Sequence, residues 1–132
     1  MISIKQDIVD QIITHAKKDL PYEACGYLAG NEGTVTIGYQ MTNADHSSEH
    51  FSFDPSEQFR AVKDARNKGH QILANYHSHP QTPARLSKED IHLAYDPDIS
   101  YIIISLAETT PVFKSFKIRN GKVVNEEIKI VK

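Results

Sequence analysis

Two histidines and an aspartate stand at a spacing that suits metal binding. His77 and His79 are one residue apart, and ten residues separate His79 from Asp90. The preceding segment, Gln71–Tyr76, contains an apolar run that predicts a β-strand. Side chains alternate between the faces of a strand, so both imidazoles would point the same way. Pro80 lacks an N–H donor and ends the strand. With a carboxylate returning from the next element, this arrangement predicts a metal site.

The donor set indicates a catalytic zinc site. Catalytic zinc takes three protein ligands and keeps a fourth position for water. His77, His79 and Asp90 supply three donors, and the single cysteine, Cys25, excludes a multi-cysteine structural site. A zinc ion held in this way lowers the pKa of a water molecule to about 7 and polarises a carbonyl group. The working hypothesis is therefore a hydrolase with one catalytic zinc ion.

Such a hydrolase also needs a general base and a donor for the developing oxyanion. Glu23 is the best candidate for the base, because it precedes the apolar segment Ala24–Ala29, which predicts a buried strand. Taken alone, Glu23 would more often be a solvated carboxylate at a strand end, because charged side chains are mostly exposed. Ser87 is the candidate donor, three residues before Asp90. Ser87 also has the pattern of a helix N-cap with Asp90 at the N3 position, and the two roles are compatible.

The other reactive side chains have simpler interpretations. Cys25 lies among apolar neighbours and is expected to be a small buried residue, not a nucleophile. Asp96 and Asp98 flank a proline and are expected to form a turn. The remaining histidines have no partner at ligand spacing and are expected at the surface or at helix caps: His15, His46, His50, His70 and His92.

Three helices are predicted to position these residues. Helical spacing of apolar residues predicts the first over Ile4–Lys18. Asp54 and Pro55 open the second, whose core-facing stripe is predicted as Phe59, Val62 and Ala65, with Ala61 beside them. Gly69 is its expected C-terminal cap. The third is expected to run from Ser87 through Ala94 and to stop before Asp96-Pro97.

The remaining segments predict strands and hairpins. Residues 31–33 and Asn120-Gly121 have hairpin-turn chemistry. The further strands are predicted at Thr34–Met41, Phe51–Phe53, Tyr101–Leu106, Val112–Ile118 and Val123–Val131. The fold class that follows is α+β, with a mixed, mostly antiparallel central sheet flanked by helices.

Composition limits the classes of protein. The chain has 132 residues, the size of one domain, predicted as 1–132. Its net charge of −2 argues against a nucleic-acid surface, and no apolar run approaches membrane-spanning length. The first residues lack the apolar core of a signal peptide, so the expected location is cytoplasmic.

At this point the motifs resemble those of a known family. His77-Ser78-His79-Pro80, six residues and then Ser87-Lys88-Glu89-Asp90 is similar to the H-x-H-P-x6-S-x-x-D motif of the JAMM (MPN+, Mov34/PAD-1) metallopeptidases. The upstream segment Pro21–Gly26 resembles the P-x-E-A-C-G segment of small prokaryotic members. The resemblance implies a cytidine-deaminase-like α-β-α fold. It also implies His77, His79 and Asp90 as zinc ligands, Glu23 as general base and Ser87 as stabiliser of the tetrahedral intermediate.

The same resemblance implies an activity and a substrate class. Family members hydrolyse amide bonds, often at the C-terminal tail of ubiquitin or a ubiquitin-like protein, and small prokaryotic members act on sulfur-carrier proteins. The alternative is a non-hydrolytic module that binds such tails. A DNA-repair relative fits less well because the chain is acidic. A zinc nucleoside deaminase fits worse still, since the H-x-E and P-C-x-x-C motifs are absent.

Overall fold

Three helices and eight strands alternate along residues 1–132, all of which the computed structural model describes. In chain order they are β1 (Ile2–Lys5), α1 (Gln6–Lys18), β2 (Cys25–Asn31), β3 (Thr34–Met41), α2 (Pro55–Asn67), β4 (Gln71–His79), α3 (Lys88–His92), β5 (Ser100–Ser105), β6 (Val112–Arg119), β7 (Lys122–Glu126) and β8 (Ile128–Val131). None of the helices combines the length and apolar character needed to cross a lipid bilayer.

The strands form one mixed sheet in the order β7-β6-β5-β4-β2-β3-β1-β8. Four of the seven strand pairs are antiparallel and three are parallel. The predicted α+β class with a mixed, mostly antiparallel sheet is confirmed. β4, which carries both histidines, pairs with β2 on one side and with β5 on the other. Hydrogen bonds on both edges therefore fix its position and direction.

The two ends of the sheet meet. β7 and β8 are at opposite ends of the strand order, yet only Glu127 separates them in sequence. The sheet must therefore curl until its outer strands are adjacent. Polar contacts lie at the junction: the Glu126 carboxylate accepts hydrogen bonds from the hydroxyls of Ser100 and Ser115, and its second oxygen lies 3.7 Å from the N-terminal ammonium group of Met1.

Helices cover both faces of the sheet. On one face, α1 packs Ile8, Ile12 and Ala16 into a core shared with Leu28 and Tyr76. On the opposite face, smaller clusters lie under α2 and beside α3. Because side chains alternate along β4, Tyr76 faces α1 and His77 faces the side of α2 and α3. The site therefore forms on the face of the sheet that carries the two smaller hydrophobic clusters.

Two predicted elements have different limits in the structure. Ile4 was predicted in the first helix, but it lies in β1 and is fully buried. Ile2 and Ile4 alternate with polar residues, and pairing of β1 with both β3 and β8 provides hydrogen-bond partners for its backbone. These residues therefore form a strand and not a helical turn. The predicted strand Val123–Val131 is interrupted at Glu127, where the chain passes from β7 to β8.

The structure also differs from the sequence-based predictions near α2 and α3. Phe59 does not face the core: it is 68% exposed, whereas Ala61 and Ala65 are buried. Small side chains let α2 approach the sheet closely, and this contact sets which face of the helix turns inward. Residues 51–53 form only one isolated bridge, at Phe53, not a strand. α3 is five residues long and ends at His92, with Leu93 as its C-cap, instead of continuing through Ala94.

Gly26 is a point of close approach between strands. A Cβ atom there would lie 2.5 Å from Tyr76 Cε2 and closer still to the backbone oxygen of Tyr39. Cβ atoms do not tolerate such contacts, so the tyrosine ring occupies the space that a side chain would fill. Gly38, on the neighbouring strand, is different, because a Cβ there meets its nearest atom at 3.5 Å.

We expect Gly26→Ala to lower the free energy of unfolding by about 1–3 kcal/mol, since Tyr76 or the β3 backbone must move. Gly38→Ala is the matched control and should change it by less than about 0.5 kcal/mol. Urea unfolding of both variants measures the difference. Equal effects of the two substitutions would contradict the close packing of Gly26 against Tyr76 and the β3 backbone.

Candidate metal centre

His77 and His79 lie at the end of β4 with their rings directed to one point. Their Nε2 atoms are 3.2 Å apart, and the side chains are 3% and 6% exposed. The two histidine side chains therefore lie on one face of the strand, as predicted. Ser78 points away from the two rings, and its hydroxyl accepts a hydrogen bond from the Ala24 N–H at 2.8 Å.

Asp90 reaches the two imidazoles from the first turn of α3. Its Oδ1 lies 3.3 Å from His77 Nε2, and its Oδ2 lies 3.5 Å from His79 Nε2. The predicted capping box holds the carboxylate in place: Ser87 Oγ accepts from the Asp90 N–H, and Asp90 Oδ2 accepts from the Ser87 N–H. The helix start thus fixes the third donor.

The separations of the three donors suit one small cation. In a tetrahedral site with metal–ligand distances of about 2.0–2.1 Å, neighbouring ligand atoms lie roughly 3.3–3.4 Å apart. The observed separations of 3.2, 3.3 and 3.5 Å are close to that value. His77, His79 and Asp90 also form the only group of three potential metal ligands whose donor atoms all lie within 4.8 Å of one another. These residues fit a zinc ion.

The His79 tautomer and the protonation states of His77 and Asp90 support the same assignment. His79 Nδ1 lies 2.9 Å from the Pro83 carbonyl oxygen, which can only accept, so Nδ1 carries a proton and Nε2 is available as a ligand. Burial lowers the pKa of His77 and favours its neutral ring. Burial alone would raise the pKa of Asp90, but the two adjacent imidazoles outweigh it and hold that pKa far below its usual value. A neutral imidazole and an ionised carboxylate are forms that bind metals.

Glu23 lies beside this group and is also buried. Its side chain is 3% exposed, and Oε1 has no hydrogen-bond partner. Burial raises the pKa of Glu23 to about 8, the negative charges of Asp90 and Glu89 act in the same direction, and His79 opposes them. The carboxylate is therefore not the solvated strand end that composition alone would favour. It is an unpaired basic group next to the three donors.

Backbone contacts fix Glu23 on both sides. Its N–H donates to the Ser47 carbonyl at 2.8 Å, and its own carbonyl accepts from Asn43 Nδ2 at 3.1 Å. The next residue, Ala24, is bonded to Ser78, which stands between the two histidines. Ser78 thus connects the segment that carries Glu23 directly to the strand that carries the metal donors.

Ser87 is exposed at the start of α3. Its Oγ accepts from the Asp90 backbone, and its own O–H donates to no protein group. The predicted N-cap role is present, and the proton of the hydroxyl is free for a substrate oxygen.

The Phe51 ring packs against His77, whose Nδ1 atom has no hydrogen-bond partner. Metal-binding histidines almost always donate their second ring N–H to a carboxylate, carbonyl or water. His77 Nδ1 is buried without any partner. Instead, the Phe51 ring stacks on the imidazole with centroids 4.7 Å apart and planes inclined by 25°. Phe51 therefore limits rotation of the His77 ring by packing.

Two adjacent cavities lie on the side of the sheet that carries the donors. A small one of about 40 Å³ includes His77 and Asp90 in its wall, and a cleft of about 740 Å³ lies between α2 and the segment after α3. Four residues line both: Phe51, Asn75, Leu93 and Tyr101. The cleft is mostly apolar and leads to the candidate metal centre.

Other side chains differ in part from expectation. Burial raises the pKa of the Cys25 thiol to about 12, in agreement with its expected role as an inert buried residue. His15 was expected at the surface but is buried between Tyr76 and Asp19. His50 is exposed at the surface, as expected, but it also lines the same small cavity as His77. No spacing in the sequence connects His50 with the motif, so only the fold reveals it.

The sequence and the fold are similar to those of known proteins. Residues 5–119 match the family model of prokaryotic homologs of the JAB domain. The CysO-cysteine peptidase of Mycobacterium tuberculosis is 33% identical over 99% of this chain and 92% of its own length. The desampylase of Haloferax volcanii is 32% identical over 79% of this chain and 80% of its own. A solution structure from Desulfitobacterium hafniense shares 49% identity and superposes with a TM-score of 0.92, covering 100% of this chain and 94% of that one.

We expect Phe51→Leu to weaken zinc binding by roughly tenfold, because the His77 ring loses the flat surface that orients it. Phe53→Leu is the control: Phe53 packs on Phe51 and Tyr27 but forms no ring contact with a histidine. Competition with a fluorescent chelator measures both affinities. If the two variants bind zinc equally well, the stacking contact does not orient the ring.

Proposed function

Because this chain belongs to the family of prokaryotic homologs of the JAB domain, we propose that it is a zinc-dependent peptidase or isopeptidase. The resemblance to the JAMM/MPN+ metallopeptidases inferred from the motif is thereby confirmed. The proposed reaction is hydrolysis of an amide bond at the C-terminal tail of a ubiquitin-like sulfur-carrier protein. The proposed catalytic domain is residues 1–132, with one zinc ion.

One observation carries the proposal: three potential ligands converge at zinc-like separations with an unpaired buried carboxylate beside them. Structural zinc sites are closed by four protein ligands, whereas catalytic sites keep one position open. His77, His79 and Asp90 leave such a position, and the Glu23 carboxylate is close enough to His79 and Asp90 for their charges to affect its pKa. This is the arrangement that water activation requires.

The residues have distinct parts in the proposed mechanism. A bound zinc ion supplies Lewis acidity, which acidifies water and polarises the substrate carbonyl. Glu23 removes a proton from the attacking water as its oxygen bonds to the carbonyl carbon, and it then passes this proton to the leaving nitrogen as the C–N bond breaks. Its desolvated position makes the ionised carboxylate a stronger base than one in water. The Ser87 hydroxyl donates a hydrogen bond to the oxygen on which negative charge develops.

The relatives and the cleft support the substrate class. Two relatives are named CysO-cysteine peptidase and desampylase, and the resemblance to small prokaryotic JAMM proteins implies sulfur carriers. An apolar cleft of about 740 Å³ beside a much smaller cavity at the donors suits an extended tail that ends in small residues. A folded protein could stay outside while its tail reaches the site.

We expect the purified protein to bind about one zinc ion per chain. Glu23→Gln should keep the metal and lose roughly 100-fold or more of the turnover, because only the proton acceptor is changed. Asp90→Ala should lose both, because a ligand is removed. Metal analysis and single-turnover kinetics measure these outcomes. Protein that takes up no zinc on titration would refute the proposal.

Substrate identity is tested with sulfur-carrier proteins from the same organism, each extended at its C-terminus by one amino acid or a short peptide. We expect the zinc-loaded protein to remove the extension and to leave the carrier intact, as measured by a mass loss that Glu23→Gln abolishes. Binding of the carriers without cleavage would favour the alternative, a non-hydrolytic module for ubiquitin-like tails.

A further inference from the structure

The loop between β3 and α2 brings an additional imidazole to the candidate metal centre. His50 lines the small cavity that also includes His77 and Asp90, although it precedes them by a whole helix and strand. Its side chain is 45% exposed, so it is open to a molecule that enters the cavity. His77 is the only other histidine in the cavity wall.

The loop holds the His50 ring in a defined orientation. His50 Nδ1 lies 2.9 Å from Asp45 Oδ2, and the other oxygen of Asp45 accepts from the Ser52 hydroxyl at 2.8 Å. An ionised carboxylate can only accept hydrogen bonds, so Nδ1 of the neutral ring carries the proton. Nε2 then has a free lone pair, and it has no partner within the protein. The ring is therefore an oriented hydrogen-bond acceptor.

The backbone of His50 is linked to both parts of the proposed machinery. Asn43, only 4% exposed, donates from Nδ2 to the His50 carbonyl at 3.0 Å and to the Glu23 carbonyl at 3.1 Å. The neighbour of His50, Phe51, stacks on His77. The position of His50 is thus fixed relative to the general base on one side and to a metal donor on the other.

The surrounding wall is mixed: besides His50 and the metal donors it contains the Glu89 carboxylate and Asn75, whose Oδ1 is buried without a hydrogen-bond partner. Leu86 and Leu93 are apolar, and the Tyr101 hydroxyl donates to the Asp96 carbonyl. A peptide that passes through the cavity carries backbone N–H groups that lose their water. Such donors cost free energy when buried unless they find an acceptor. His50 Nε2 is an acceptor already oriented for this purpose.

We propose that His50 is a substrate-binding residue whose Nε2 accepts a hydrogen bond from a backbone N–H of the substrate next to the scissile bond. Asp45 acts through His50 as a positioning residue that sets the ring tautomer. This inference rests on the proposed peptidase function and adds a specific contact to it. The contact recognises the peptide backbone, not a particular side chain.

The test compares variants on the sulfur-carrier substrate identified by the cleavage assay. His50→Phe keeps a flat ring and removes the acceptor, so kcat/KM should fall roughly three- to tenfold, mainly through KM. His50→Gln places an amide oxygen near the position of Nε2 and should recover part of the loss. Zinc content should stay at the parent value in both variants.

The control is His46→Asn, since His46 is in the same loop but lines a different cavity. Its positive φ of 45° is a conformation that asparagine tolerates. Parent-like kinetics of His50→Phe, or an equal loss in His46→Asn, would overturn the inference while the cleavage by the parent protein upholds the peptidase function. Absence of cleavage by the parent protein would reject the function and this contact together.

Discussion

Two imidazoles and a carboxylate share one small volume, and their mutual approach is the constraint on which the rest of the site depends. The lone pair of His79 Nε2 faces an ionised Asp90, and such acceptors repel one another unless a cation or a proton lies between them. Several elements are needed to maintain this contact. β4 aligns the two rings, the α3 cap fixes the carboxylate, and the Pro83 carbonyl selects the His79 tautomer.

This constraint depends on the burial of the charged side chains. An exposed carboxylate would be hydrated, whereas Glu23 Oε1 is buried and has no hydrogen-bond partner. The cost is offset elsewhere, by the strand pairing of β2 with β3 and β4 and by the contacts of Ser78 and Asn43 with the backbone around Glu23. Stability supplied by the sheet thus maintains a group that would be unfavourable on its own, which is common where chemistry occurs.

The sequence predicted the donors because short-range geometry determines them. Alternation along one strand placed His77 and His79 together, and the capping pattern placed Ser87 and Asp90. The inward face of α2, by contrast, depends on Ala61 and Ala65 meeting the sheet, a contact that a hydrophobic pattern led by Phe59 does not reveal. The place of His50 at the cavity likewise depends on a loop whose polar contacts have no periodicity. Long-range packing determines both the orientation of α2 and the position of His50.

The junction of β7 and β8 affects the order in which the protein can be assembled during synthesis. Ile2 pairs with Ile128, so one side of β1 has no strand partner until residues 128–131 have left the ribosome. Contacts between such distant segments slow folding because a long loop must close before they form. Throughout that interval, the free edge of β1 offers unpaired backbone groups to other chains. Pairing of β8 with β1 therefore covers this free edge only at the end of synthesis.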